Sequence, residues 1–149
     1  MDVSDKKISS IIAEIVDEND CGMNAFVHRK SLKLTFIPNE FNHYLDDFED
    51  LFKDELDEIN MNLNLYFKIE PPSSHESFNI MKSFAENLDQ SNLKEQLFSA
   101  LNKRKPFAHF KHIIDHSNIR EKWFAFKKQE SIQRVELEFK HEFQGPNKP

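Results

Sequence analysis

The sequence predicts an α+β fold: a small antiparallel sheet with an N-terminal helix and a C-terminal helical bundle. Three patterns carry that expectation. Residues 6–19 repeat apolar side chains at helical spacing; residues 23–37 and 61–70 cluster or alternate them as strands do; and after Pro71-Pro72 helical spacing takes over. At 149 residues, 38% hydrophobic and 31% charged, the chain can bury a core without disulfides or metals and is unlike a disordered composition. A single domain over residues 1–144 is expected, its sheet-containing part at about 1–70 and its helical part at about 73–143, with 145–149 as a disordered tail.

In the first helix Ile8, Ile11, Ile12, Ile15 and Val16 share one stripe, and Cys21-Gly22 ends it. Residues 23–29 and 32–37 read as a hairpin turning at Arg29-Lys30-Ser31, and Pro38 closes its second strand. Residues 46–59 are acidic, yet Leu45, Phe48, Phe52, Leu56 and Ile59 recur as on an amphipathic helix. Met61, Leu63, Leu65, Phe67 and Ile69 then alternate with polar residues, which predicts a strand over 61–70 with one face buried. Ser73 followed by Glu76 is a capping-box pattern, opening a helix with Phe78, Met81, Phe84, Ala85 and Leu88 inward. A second helix over 91–102 buries Leu93, Leu97, Phe98 and Leu101. Pro106 suits the first turn of a third, with Phe107, Phe110, Ile113 and Ile114 inward. Ser117 is placed to cap a fourth carrying Ile119, Trp123 and Phe126. The stretch 131–143 fits helix or strand spacing; helix is preferred because no turn residues interrupt 131–140.

Composition removes several function classes. With only two glycines, neither dinucleotide nor P-loop phosphate motifs can be written. Cys21 is the single cysteine, so no internal disulfide or thiolate zinc cluster forms. The acidic start of the chain is unlike a secretory signal, and no apolar run approaches a membrane span; a cytoplasmic location without membrane association is the expectation. The net charge of −6 is divided unevenly: residues 1–102 carry 20 acidic and 9 basic side chains, residues 103–149 carry 6 and 11. That basic third either seeks an acidic partner or offsets the acidic part of the same molecule.

The basic surface is the first candidate site. Lys103, Arg104 and Lys105 lie in a connector before Pro106, where cations beside backbone N–H donors suit phosphate; Lys111 and Trp123 belong to the same surface, and Arg120, Lys122, Lys127 and Lys128 extend it. Aromatics interleave with these charges as in single-strand binders, although Phe107, Phe110 and Phe126 sit at core spacing. His109, His112 and His116, at i, i+3 and i+7, form an exposed face able to take Zn²⁺ or Ni²⁺, either as a site or adventitiously. No Glu accompanies them as a general base, the acidic run lacks the glycine of a calcium loop, and no catalytic residue or cofactor is nominated.

Four segments read together resemble a known pattern: Phe78-x-x-Met81-x-x-Phe84, Leu97-x-x-Ala100-Leu101, Arg104-Lys105-Pro106-Phe107-x-x-Phe110-Lys111 and Trp123-x-x-Phe126. They resemble the uncharacterised bacterial UPF family 0158, and the short N-terminal hairpin ending at Pro38 fits its layout. Where family members tend to carry Arg or Asp around the Phe-x-x-Phe-Lys motif, this chain has His109 and His112, a departure that weakens the histidine face as a family-wide site. The resemblance implies the architecture and draws attention to residues 103–126; it brings no reaction or ligand. The leading functional expectation is a non-enzymatic binding or regulatory protein acting on an unknown protein or nucleic-acid partner through its basic C-terminal surface. A nucleic-acid binder and a phosphate-handling enzyme are the alternatives, and a homodimer is compatible with either.

Overall fold

A computed structural model describes residues 2–39 and 51–144. The expected α+β architecture is present: an N-terminal helix, a three-stranded antiparallel sheet and C-terminal helices. The chain forms two compact units, Met1–Pro71 with Ile132–Pro149, and Pro72–Ser131.

The first unit is built on α1 (Asp2–Asp20), β1 (Met23–His28), β2 (Leu34–Pro38), α2 (Lys53–Met61) and β3 (Tyr66–Ile69). The predicted stripe of α1 is its buried face, with Ile15 wholly enclosed. Gly22, at φ +86°, turns the chain from α1 into β1; a Cβ there would meet no atom within 4 Å, so backbone conformation rather than space selects glycine. The sheet order is β2-β1-β3, and Ala25 stands opposite Phe36 and Ile69 while Val27 stands opposite Leu34 and Phe67. Directly paired residues point to one side, so this register places Ala25, Val27, Phe67 and Ile69 together against α1. Val135 and Phe139 complete that core, Phe67 meeting Phe139 edge-on at 5.4 Å between centroids.

Two expectations in this unit are corrected. The hairpin loop is longer than three residues: Leu32 adopts φ +62°, and His28 Nδ1 accepts from the Lys30 and Ser31 amides at 3.2 and 3.1 Å, so the loop runs over 29–33. Nor is 61–70 one strand. Met61 ends α2, residues 63–65 form a 3₁₀ turn, and only Tyr66–Ile69 is extended; Met61 and Leu63 are 82% and 63% exposed. The cause is the partner strand. β1 ends at His28, opposite Tyr66, and one further bond from the Arg29 amide to the Leu65 carbonyl is all that remains to pair. Without a ladder the segment closes its own hydrogen bonds, Asn62 Nδ2 donating to the Glu58 carbonyl at 2.9 Å and to its carboxylate at 3.0 Å. The Tyr66 hydroxyl also donates to Glu58; partial burial first, and that bond second, hold its phenol above the ordinary tyrosine pKa. Asp54, Glu55, Asp57 and Glu58 are exposed on α2, whereas Leu45, Asp46, Asp47, Phe48, Glu49 and Asp50, like the tail 145–149, lie outside the described residues.

The second unit holds α3 (Ser74–Glu86), α4 (Ser91–Leu101), α5 (Pro106–Asp115) and the first turns of α6 (Arg120–Gln144). The capping box is complete: the Glu76 amide donates to Ser73 Oγ at 3.1 Å, and the Ser73 amide donates to Glu76 Oε1 at 2.9 Å. Met81, Phe84, Leu97, Leu101, Phe110, Ile114 and Ile119 form this unit's core. Ser117 does not cap α6 as expected. Its hydroxyl donates to the Ile114 carbonyl at 2.7 Å and accepts from the Ile119 amide, shaping the turn, and helix begins three residues later at Arg120. The ambiguous stretch 131–143 is helix, as preferred.

Candidate functional site

α4 ends at Leu101, and Lys103, Arg104 and Lys105 cross to α5 as an exposed connector. Lys105, at φ +55° and ψ +57°, is left-handed. Two local rules meet there: the following proline disfavours the right-handed helical region, and the chain must still turn sharply enough for Pro106 to start α5. The left-handed region costs a side-chain-bearing residue roughly 1–2 kcal/mol, of which glycine's extra chain entropy would cancel part. Lys105→Gly is therefore expected to raise stability by about 0.5 kcal/mol, a melting rise of about 1–2 °C. A lower melting temperature would show that the lysine stem supplies more than the strain removes.

Beyond the connector the structure separates residues that the sequence grouped. Phe107, expected in the core, is 41% exposed, whereas Phe110 is 1% exposed. At 100° per residue Phe107 sits at the edge of the buried arc centred on Phe110 and Ile114, and its helical neighbour Lys111 lies one turn on, also exposed. Lys103, Arg104, Lys105 and Lys111 are thus exposed within four residues of an accessible ring. None of the four joins an ion pair among the described residues, while Arg29, Lys53, Lys68 and Arg120 do. Trp123 is not part of that surface. It is half-buried, its ring edge-on to Phe84 at 5.3 Å and to Phe110 at 4.9 Å, and it acts as packing. Phe126 likewise packs on Phe84.

Sequence reasoning missed one exposed aromatic. Phe124 is 45% exposed with the Arg120 guanidinium 4.9 Å from its ring centroid, and Arg120 is itself held by Asp115 at 3.2 Å. The i, i+4 spacing of Arg120 and Phe124 was the available signal. Lys122 and Lys128 are exposed on the same helix.

The histidines lie on a different flank of α5. His109, His112 and His116 are exposed, but no group of three His, Cys, Asp or Glu among the described residues is arranged to hold a metal ion. His112 and His116 come together, ring centroids 4.3 Å apart, at a pocket of about 400 Å³. Leu93 and Ile113 supply its apolar part, and Gln90, Asn92, Gln96 and Asn118 its amides; Lys103, Arg104 and Lys105 do not line it. By helical rotation the His112/His116 pair is about 140° around α5 from Phe107 and Lys111, so the two features are separate surfaces.

No helix among the described residues is long and apolar enough to cross a membrane. A family model described as an uncharacterised protein family, UPF0158, matches residues 7–144. No curated protein and no solved structure matches the chain.

Proposed function

We propose that this chain, which belongs to the uncharacterised UPF0158 family, is a non-catalytic binding protein that offers Lys103, Arg104, Lys105, Phe107 and Lys111 to an anionic partner. The observation that supports this reading most is the exposed Phe107 ring, within four residues of four exposed cations engaged in no ion pair among the described residues. Cations already balanced within the molecule gain little from a partner; these, in no ion pair among the described residues, keep their charge for one. Lys105, held in a left-handed conformation, belongs to the connector, and strained backbone is concentrated at functional positions more often than elsewhere.

The exposed ring also favours a more specific reading, single-stranded nucleic acid, because an aromatic face stacks on any base while flanking cations follow the phosphates. Fluorescence anisotropy with a labelled single-stranded oligonucleotide, and with an acidic peptide of equal charge, separates the two readings. Four neutralised phosphates predict a loss of about 50-fold in oligonucleotide affinity between 50 and 200 mM salt. Lys103→Glu/Arg104→Glu/Lys105→Glu abolishes binding to either probe. Phe107→Ala weakens the oligonucleotide about 10-fold or more and leaves the acidic peptide unchanged. Affinity for both probes that is indifferent to salt and to the triple reversal rules out this surface.

A further inference from the structure

We infer that His112 and His116 form a two-imidazole binding site for a late first-row divalent cation, Cu²⁺ before Ni²⁺ or Zn²⁺, at the mouth of the amide-lined pocket. Three observations carry it. The i, i+4 spacing puts both rings on one face of α5, and their centroids lie 4.3 Å apart. Two nitrogens bound to one ion at about 2.0–2.1 Å each are separated by no more than about 4.2 Å, so exposed rings at this distance reach one ion by small rotations.

The second observation is the tautomer. His116 Nδ1 lies 2.8 Å from the His112 carbonyl oxygen. A carbonyl only accepts, so Nδ1 carries the proton and donates it, and Nε2 is left with its lone pair free. A ring N–H anchored on a backbone carbonyl is the arrangement that fixes the tautomer and orients a ligating histidine. His116 is therefore set as a ligand before any ion arrives, and His112 supplies both the second ring and the anchoring carbonyl.

The third is the lining. Among the described residues that line the pocket there is no lysine or arginine to repel a cation and no carboxylate to draw calcium or magnesium in preference. Its other polar lining residues are Ser117 and the amides Gln90, Asn92, Gln96 and Asn118, and the amides complete a coordination sphere together with water. Imidazole donors favour the late transition metals, and the affinity order follows from the ions themselves. His109 shares the exposed side of the helix but does not line the pocket, which makes it the internal control.

The test is calorimetric titration of the full chain with Cu²⁺, then Ni²⁺ and Zn²⁺, alongside His109→Ala, His112→Ala and His116→Ala, with circular dichroism confirming that each exposed substitution leaves the fold intact. Removing one of two linked ligands forfeits the chelate advantage, so His112→Ala and His116→Ala should each weaken the tightest site about 100-fold. His109→Ala should leave it unchanged. Equal losses in all three variants, or none in any, would overturn the assignment, since the first describes a diffuse histidine-rich face and the second a site elsewhere. Zn²⁺ binding more tightly than Cu²⁺ would also count against it.

Discussion

Phe110→Ala should cost about 3–5 kcal/mol of folding stability, the range for removing a fully buried phenylalanine. The ring is 1% exposed, meets Trp123 edge-on at 4.9 Å, and belongs to the core of the second unit with Leu97, Leu101, Ile114 and Ile119. Truncation removes its transfer energy and leaves a void that α3, α4 and α6 cannot all close at once. Phe107→Ala, three residues earlier on the same helix and 41% exposed, is the matched comparison, with a cost of about 1 kcal/mol or less. In urea the first should lower the unfolding midpoint by about 2 M and the second by less than about 0.5 M. Equal shifts would mean that the two rings are not divided by burial as the structure divides them.

Asn19→Asp should be comparably damaging although it changes almost no volume. Asn19 is 5% exposed at the end of α1, and its amide nitrogen donates to the Met23 carbonyl at 2.7 Å and to the Ile69 carbonyl at 3.3 Å. One side chain thereby ties the helix to β1 and β3. An aspartate of the same shape presents a buried charged acceptor to two carbonyl acceptors; the expected cost at neutral pH is about 3–5 kcal/mol. Asn19→Ala loses the two bonds without adding charge and should cost about 1–3 kcal/mol. The pH dependence separates them. Burial raises the new carboxyl's folded-state pKa above its unfolded value of about 3.9, so the neutral form is favoured in the fold. The charge penalty is absent below about pH 3.9, grows as pH rises toward the folded-state pKa, and is constant above it. Relative to wild type, the Asp variant should therefore recover on acidification and the Ala variant should not. A deficit in the Asp variant that is flat with pH would show that the site admits water.

The features legible in the sequence are those whose cause lies within a few residues. The α1 stripe, the capping box at Ser73 and Glu76, and Pro106 at the start of α5 each arise from local spacing or a local hydrogen bond, and each is where periodicity placed it. The continued helix through 131–143 belongs with them, since no turn residue interrupts it. Three features were not legible. The alternation of Met61, Leu63 and Leu65 is as regular as that of Phe67 and Ile69, yet only the latter pair has β1 opposite. Phe107 and Phe110 are both aromatic at core spacing, and which of them is covered depends on the helices that flank α5. His109 belongs to the same run as His112 and His116, but only the latter two adjoin the pocket beside α4.

The sequence by itself thus determined the class of fold, the order of its elements, the capped start of α3, the proline start of α5 and the charged connector at Lys103, Arg104 and Lys105. Tertiary structure decided where β3 begins, that Trp123 is packing while Phe107 is surface, and that two of three histidines form a pair. The physical reason is the range of the interactions. Helix spacing and caps are set within a turn or two of chain, whereas a strand's length and a side chain's exposure are fixed by residues tens of positions away.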